Sequence, residues 1–163
     1  MGSGKSAIGK MVADRLGMRF IDTDEEIEKK QGKSISRIFE ESGEEAFRQM
    51  ETAELWSLMF DDKEAVISLG GGTPVRDANR EIIKKLGKVI YLKAPEELLV
   101  KRLSEKSVGR PMLSGDDVAS RVRKLLSDRE EGYESLADIV VELFDERLEA
   151  SCSRVEDAMG GRL

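Results

Sequence analysis

The sequence predicts an α/β fold built on a parallel sheet, and three observations predict it. Short apolar, β-branched segments alternate with longer stretches whose apolar residues recur at helical spacing, which is the pattern of βα units. A loop reading Gly2-Ser3-Gly4-Lys5-Ser6 runs straight into the first of those helical stretches. The chain has 163 residues, 39% of them hydrophobic and 37% charged, enough to bury a core and too apolar for disorder as its main state. Residues 1–163 are expected to form a single domain without repeats or an interdomain linker.

Each element has its own signal. Ile8, Met11, Val12 and Leu16 mark a helix over 7–16, and Phe20 and Ile21 a short strand over 19–22. Ser34 ahead of Ile35 and Ile38 caps a short helix that ends at Gly43, and a longer helix resumes through Phe47, Met50 and Leu55. Strands are expected at 65–69, 88–92 and 138–143, with helical faces at Ile82, Ile83 and Leu86 and at Leu98, Leu99 and Leu103. Residues 104–117, with Gly109, Pro111 and Gly115, read as a mobile loop. The last segment, 145–163, reads as a helix with Leu148, Cys152 and Val155 on a buried face, followed by a frayed Gly160-Gly161 end, which makes Cys152 a core residue and not a ligand.

Composition excludes several functions. With 27 Lys+Arg against 33 Asp+Glu the net charge is -6, so a broad nucleic-acid surface is not expected and any anion site is local. No apolar run approaches the roughly 18 residues of a membrane span, and no secretion signal opens the chain, so a cytoplasmic location is expected. One cysteine and no histidine rule out an internal disulfide and a tetrahedral Cys/His zinc site. Proton transfer must therefore use carboxylates, lysine, tyrosine or water.

The Gly-Lys-Ser loop is the strongest chemical signal. Its glycines let backbone N–H groups of Gly2, Ser3, Gly4, Lys5, Ser6 and Ala7 turn around phosphate oxygens, and the helix adds the positive end of its dipole. Lys5 is placed to reach the β/γ-phosphates, and the Ser6 hydroxyl to ligate Mg²⁺. The full motif G-x-x-x-x-G-K-[ST] begins two positions before Met1, and the strand that feeds such a loop would lie upstream still. The natural product is accordingly expected to begin roughly ten residues earlier, about one strand plus a turn.

Asp22 and Asp24 follow the first strand, at the sheet edge where ligands bind in parallel α/β folds. Strand periodicity would aim both carboxylates to one side, one toward metal-bound water and one toward substrate hydroxyls. The plainer alternative is that one of them caps the next helix. Gly70-Gly71-Gly72 after the second strand lets backbone approach a ligand closely. Arg48, Arg110 and Arg129 are, taken singly, as consistent with solvated ion pairs as with ligand anchors.

In this order, the Gly-Ser-Gly-Lys-Ser loop, Asp22-Thr23-Asp24, Phe47-Arg48-Gln49-Met50-Glu51, the glycine triplet, Arg110-Pro111 and Arg129-x-x-x-Tyr133 resemble the shikimate kinase family, over about residues 1–141. The resemblance implies a P-loop three-layer α/β/α fold of the nucleoside-monophosphate-kinase type, with a five-stranded parallel sheet whose first strand is absent from this chain. It implies ATP-dependent phosphorylation of the 3-hydroxyl of shikimate, in aromatic amino-acid biosynthesis. On that resemblance Lys5 and Ser6 match the phosphate-loop lysine and Mg²⁺ ligand, and Asp22 a metal-side carboxylate acting through water. Asp24 matches the group that binds shikimate hydroxyls and is the candidate base. Arg48 and Arg129 match the grip on the shikimate carboxylate, Gly70, Gly71 and Gly72 line the pocket, Arg110 is the lid arginine, and Arg102 lies near the adenine-stacking arginine. Two departures stand out. Glu130-Glu131 sits where the family commonly has proline, and no adenine-loop proline follows the last strand.

The expected partners are ATP and shikimate, with Mg²⁺, and the expected working state is a monomer without nucleic-acid or membrane partners. Two competing functions fit fewer residues: a kinase for another small hydroxy acid, of gluconate type, and a nucleotide-binding module that transfers nothing.

Overall fold

The computed structural model describes residues 2–106 and 115–160. The chain divides into two compact units. A central unit comprises Gly9–Val89, and a terminal unit joins Met1–Ile8 to Ile90–Leu163.

Helix α1 (Lys5–Leu16) starts directly at the lysine of the glycine loop. In the central unit, β1 (Arg19–Asp22) pairs in parallel with β2 (Ala65–Ser68), with Asp22 opposite Ser68 at the carboxyl ends. Helices α2 (Thr23–Gln31) and α3 (Ile35–Met59) make the long crossover that a parallel pair requires. Helix α2 ends at Gly32, whose φ of 63° is the left-handed cap that favours glycine. Ser34 caps α3 by accepting a hydrogen bond from the Arg37 amide, and Gly43, at φ 80° and ψ 171°, breaks α3 into the two segments expected from the sequence. Ile27, Ile38 and Phe47 form a buried cluster with Ile35, Phe39 and Met50 around it. Gly9 is needed for packing, because a Cβ there would lie 2.9 Å from the Phe20 ring. A 3₁₀ turn at Thr73–Val75 leads into α4 (Asp77–Leu86), which buries Ile82 and Ile83.

In the terminal unit, β3 (Ile90–Lys93) pairs in parallel with β4 (Ile139–Glu142), joined through α5 (Glu96–Lys106) and α6 (Gly115–Leu136). Helix α7 (Leu148–Ala158) follows. Leu98, Leu99, Val122, Val141, Leu143, Cys152 and Val155 are buried, so Cys152 belongs to the core as expected. Lys93 holds Glu130 at 2.9 Å and Glu134 at 2.7 Å, and Tyr133 packs on Tyr91 with ring centroids 5.3 Å apart. Glu130, which stands where the resemblance implies a proline, thus ties α6 to β3.

Three expectations change. Among the described residues the strands form two parallel pairs, β1–β2 and β3–β4, instead of one five-stranded sheet, because no described strand pairs with a member of both. The expected loop 104–117 is too wide. Helix α5 continues through residues 104–106, which contain no breaker, and α6 is already formed at 115. Residues 107–114, with Gly109, Arg110 and Pro111, lie outside the described residues. Helix α7 starts at Leu148, later than the expected 145, and ends at Ala158, ahead of the expected frayed Gly160-Gly161 end. No helix among the described residues is long and apolar enough to cross a membrane.

Candidate active site

Of the residues expected on the acceptor side, Asp24, Arg48 and Gly70–Gly72 lie in the central unit and Arg129 in the terminal one. Strand β1 ends at Asp22 and α2 begins at Thr23, so the two-residue spacing of the aspartates is a cap-to-first-turn relation and the strand periodicity expected for them does not apply. Asp22, buried, caps α2 by accepting a hydrogen bond from the Asp24 amide at 3.1 Å. The capping alternative therefore holds for Asp22. Between them, the buried Thr23 hydroxyl donates to the Ser68 carbonyl at 3.3 Å and accepts from the Gly70 amide at 3.1 Å. That one side chain pins the Asp22–Asp24 turn to the start of the glycine triplet.

Gly70 and Gly72 are glycine for space. A Cβ on Gly70 would lie 2.5 Å from Asp24 Oδ1, 2.8 Å from Glu51 Oε1 and 3.0 Å from Thr73 Oγ1. On Gly72 it would lie 2.0 Å from Arg48 Nη1. The turn thus carries a carboxylate against its first glycine and a guanidinium against its third, while Gly71 between them is half-buried.

Arg48 is held from below. Its Nη1 donates to Glu51 at 2.7 Å and its Nη2 to Glu44 at 2.9 Å. These contacts leave three of a guanidinium's five N–H donors for another acceptor. The Glu51 side chain is 1% exposed and that of Arg48 19%, so the pair is not the solvated one that isolated charges suggest. Burial pulls the Arg48 guanidinium down, and the hydrogen bonds to Glu51 and Glu44 outweigh it, holding the group above its ordinary pKa. The second Glu51 oxygen accepts the Thr73 hydroxyl at 2.6 Å. A buried carboxylate with both oxygens bonded and a cation beside it is a stable fixture, where an unpaired one is not.

The loop expected to hold phosphates begins in the terminal unit. Gly2 and Gly4 have φ of 79° and 86°, the left-handed conformation glycine supplies without strain, and they curl the backbone ahead of α1 into a shape suited to anions. Arg102 on α5 donates from Nη1 to the Ser3 carbonyl at 3.0 Å, and Leu103 packs close to Gly2. A cavity of about 290 Å³ opens beside the loop, bounded by Gly2, Gly4, Ile8 and Arg102 and, across it, by Glu146, Leu148 and Ser151. Lys5 and Ser6 are the first residues of α1 and Ala7 follows them, exposed. Arg129 lies half-buried on α6.

The donor set suits a hard divalent cation. Ser68 Oγ is buried without a hydrogen-bond partner among the described residues, and it ends β2 opposite the Asp22 carboxylate. The described residues contain no cluster of three metal-binding side chains. That combination fits a cation bound through one carboxylate, hydroxyls, water and phosphate oxygens, as Mg²⁺ is.

Sequence reasoning missed Thr23, Glu51, Thr73 and Asn79 at the acceptor side, and Glu146, Leu148 and Ser151 beside the loop. Only Glu51 had a visible signal, its three-residue spacing from Arg48 on one helix face.

The shikimate kinase family model matches residues 1–159. A shikimate kinase of Chlorobium chlorochromatii is 43% identical over 155 residues, covering 90% of this chain and 80% of that protein. One from Halorhodospira halophila is 37% identical over 162 residues, covering 99% and 90%. The structure of the Acinetobacter baumannii shikimate kinase in complex with shikimate matches with a TM-score of 0.85 and 34% identity, over 98% of this chain and 88% of that one. On these matches the chain belongs to the shikimate kinase family.

Proposed function

We propose that this chain transfers the γ-phosphoryl group of ATP to the 3-hydroxyl of shikimate, with Mg²⁺ as the divalent cation. The observation that carries the reading is the glycine turn bearing Asp24 at one end and the Glu51-held Arg48 at the other. A small molecule with a carboxylate on one side and hydroxyls on the other is the complement of that pattern. Planar, charge-assisted donors suit the carboxylate, and Asp24 accepts from hydroxyl groups.

The reaction needs positioning and charge neutralisation more than covalent chemistry. Backbone amides of Gly2–Ala7 and the Lys5 ammonium hold the phosphates, and Arg102 borders the nucleoside. Ser6 and, through water, Asp22 would hold the cation, which would supply charge neutralisation to the phosphates. Asp24 orients the attacking hydroxyl and takes its proton. Arg48 and Arg129 grip the carboxylate, and Gly70, Gly71 and Gly72 line the pocket floor. Arg110, the lid arginine that the resemblance implies, lies outside the described residues; its part would be to complete the charge clamp and exclude water, which suppresses idle hydrolysis of ATP. The working unit is one kinase domain over residues 1–163, a cytoplasmic monomer that uses small-molecule partners only.

An ADP-release assay with shikimate, with gluconate and with neither acceptor tests this reading. Shikimate-dependent release alone supports it. Release with gluconate, or with no acceptor dependence, would overturn it in favour of one of the competing functions.

A further inference from the structure

Asn79, in the first turn of α4, is fully buried, with 0% exposure. Its Nδ2 donates to the Thr73 carbonyl at 3.0 Å, and its Oδ1 accepts the Thr52 hydroxyl at 2.7 Å. Thr52 also lies 3.1 Å from the Arg48 carbonyl. A hydroxyl has a single proton, and the shorter contact takes it. Thr52 stands four residues beyond Arg48 on α3, so both rise from one helix face. Thr73 directly follows Gly72, the residue over which the Arg48 guanidinium lies. The Asn79 amide therefore spans from the helix that carries the cation to the turn that carries the pocket floor.

We propose that Asn79 is a positioning residue for shikimate, with Thr52 as its partner. Resting on the function proposed above, the inference is that Asn79 fixes the distance between the Arg48 guanidinium and the Gly70–Gly72 backbone, and with it the fit of the acceptor's carboxylate. Glu51 sets the direction of the guanidinium. Asn79 sets how far the turn stands from it. A buried amide suits this because both of its ends are satisfied by fixed partners, so any change in the gap breaks at least one bond. The network's described hydrogen bonds join only α3, the glycine turn and α4, so its effect is expected on the acceptor.

Four variants test it in the full chain: N79D, N79L, T52V and T52S. N79D keeps the shape and sets an acceptor oxygen against the Thr73 carbonyl. T52V keeps the shape and removes the proton donated to Oδ1. Initial rates give KM for shikimate and for ATP, calorimetry gives shikimate affinity, and thermal midpoints report stability. Expected are a roughly tenfold rise in shikimate KM for N79D and N79L and about threefold for T52V, with kcat and ATP KM within about twofold of wild type. T52S, which restores the hydroxyl, should return shikimate KM to the wild-type value. If thermal midpoints fall while shikimate KM stays at wild type in N79D and T52V, Asn79 is a packing residue and the inference is overturned. A wild-type chain that neither binds nor turns over shikimate would instead overturn the function on which it rests.

Discussion

The two regions proposed to handle anions in this chain are built by different means. In the central unit a guanidinium is fixed by side chains, through the buried run Arg48–Glu51–Thr73–Asn79–Thr52, every link of it a hydrogen bond between 2.6 and 3.0 Å. In the terminal unit the phosphate loop is shaped by backbone, through Gly2 and Gly4 at positive φ, with the Arg102 bond to Ser3 as a tie. The difference follows from the ligands. Every nucleotide presents the same phosphate oxygens, which amides and one lysine can bind without reading the rest of the molecule. A small hydroxy acid must be told from its relatives, and that takes planar donors and carboxylates held at set distances.

Substitutions can break this contrast or sharpen it. Lys5→Ala removes charge from the phosphate side and should lower kcat by roughly 10³-fold while leaving shikimate affinity in the absence of nucleotide unchanged, as calorimetry and ADP release will report. Arg48→Ala should raise shikimate KM by roughly 100-fold, about 2.7 kcal/mol of binding, and leave ATP KM alone. Equal shikimate affinity for wild type and R48A would remove Arg48 from the site. Gly72→Ala sets a Cβ 2.0 Å from Arg48 Nη1, and the guanidinium, tied to Glu51 and Glu44, has to yield. A roughly tenfold rise in shikimate KM is expected, and it should vanish when G72A is made in an R48A background, since the two changes act on one contact.

The smallest expected effect concerns Tyr91, on β3. Burial, with the nearby Glu130 charge, pushes its phenol up to about 12. The folded state thus holds its proton where an unfolded tyrosine, near pH 10, gives it up. Folded pKa above unfolded means full stability below pH 10, falling as pH rises toward 12. Absorbance near 295 nm should show Tyr91 titrating close to pH 12 in the folded chain, and only after unfolding near pH 10.

Much of this architecture was legible in local pattern. All four described strands fall within or beside the stretches marked by β-branched runs, and Ser34 and Gly43 announced the cap and the break in α3. Local pattern misled where two rules competed. Asp22 and Asp24 obey helix capping because Thr23 already turns the chain, so a spacing of two carries no strand meaning there. The residues that orient Arg48 were hidden for another reason. Thr73 and Glu51 are 22 positions apart, and Asn79 and Thr52 are 27 apart. Each, read alone, is an ordinary polar residue on an ordinary turn or helix. Only the fold makes them one network.

The most direct test pairs the acceptor's carboxylate with the side chain proposed to hold it. Shikimate and its methyl ester, which lacks the negative charge, should be compared as acceptors for wild type and R48A in the same ADP-release assay. The account predicts that wild type prefers the acid by roughly 100-fold in kcat/KM and that R48A shows at most a few-fold preference. An undiminished preference in R48A would contradict it, because the carboxylate would then be read by something other than the guanidinium lying over Gly72.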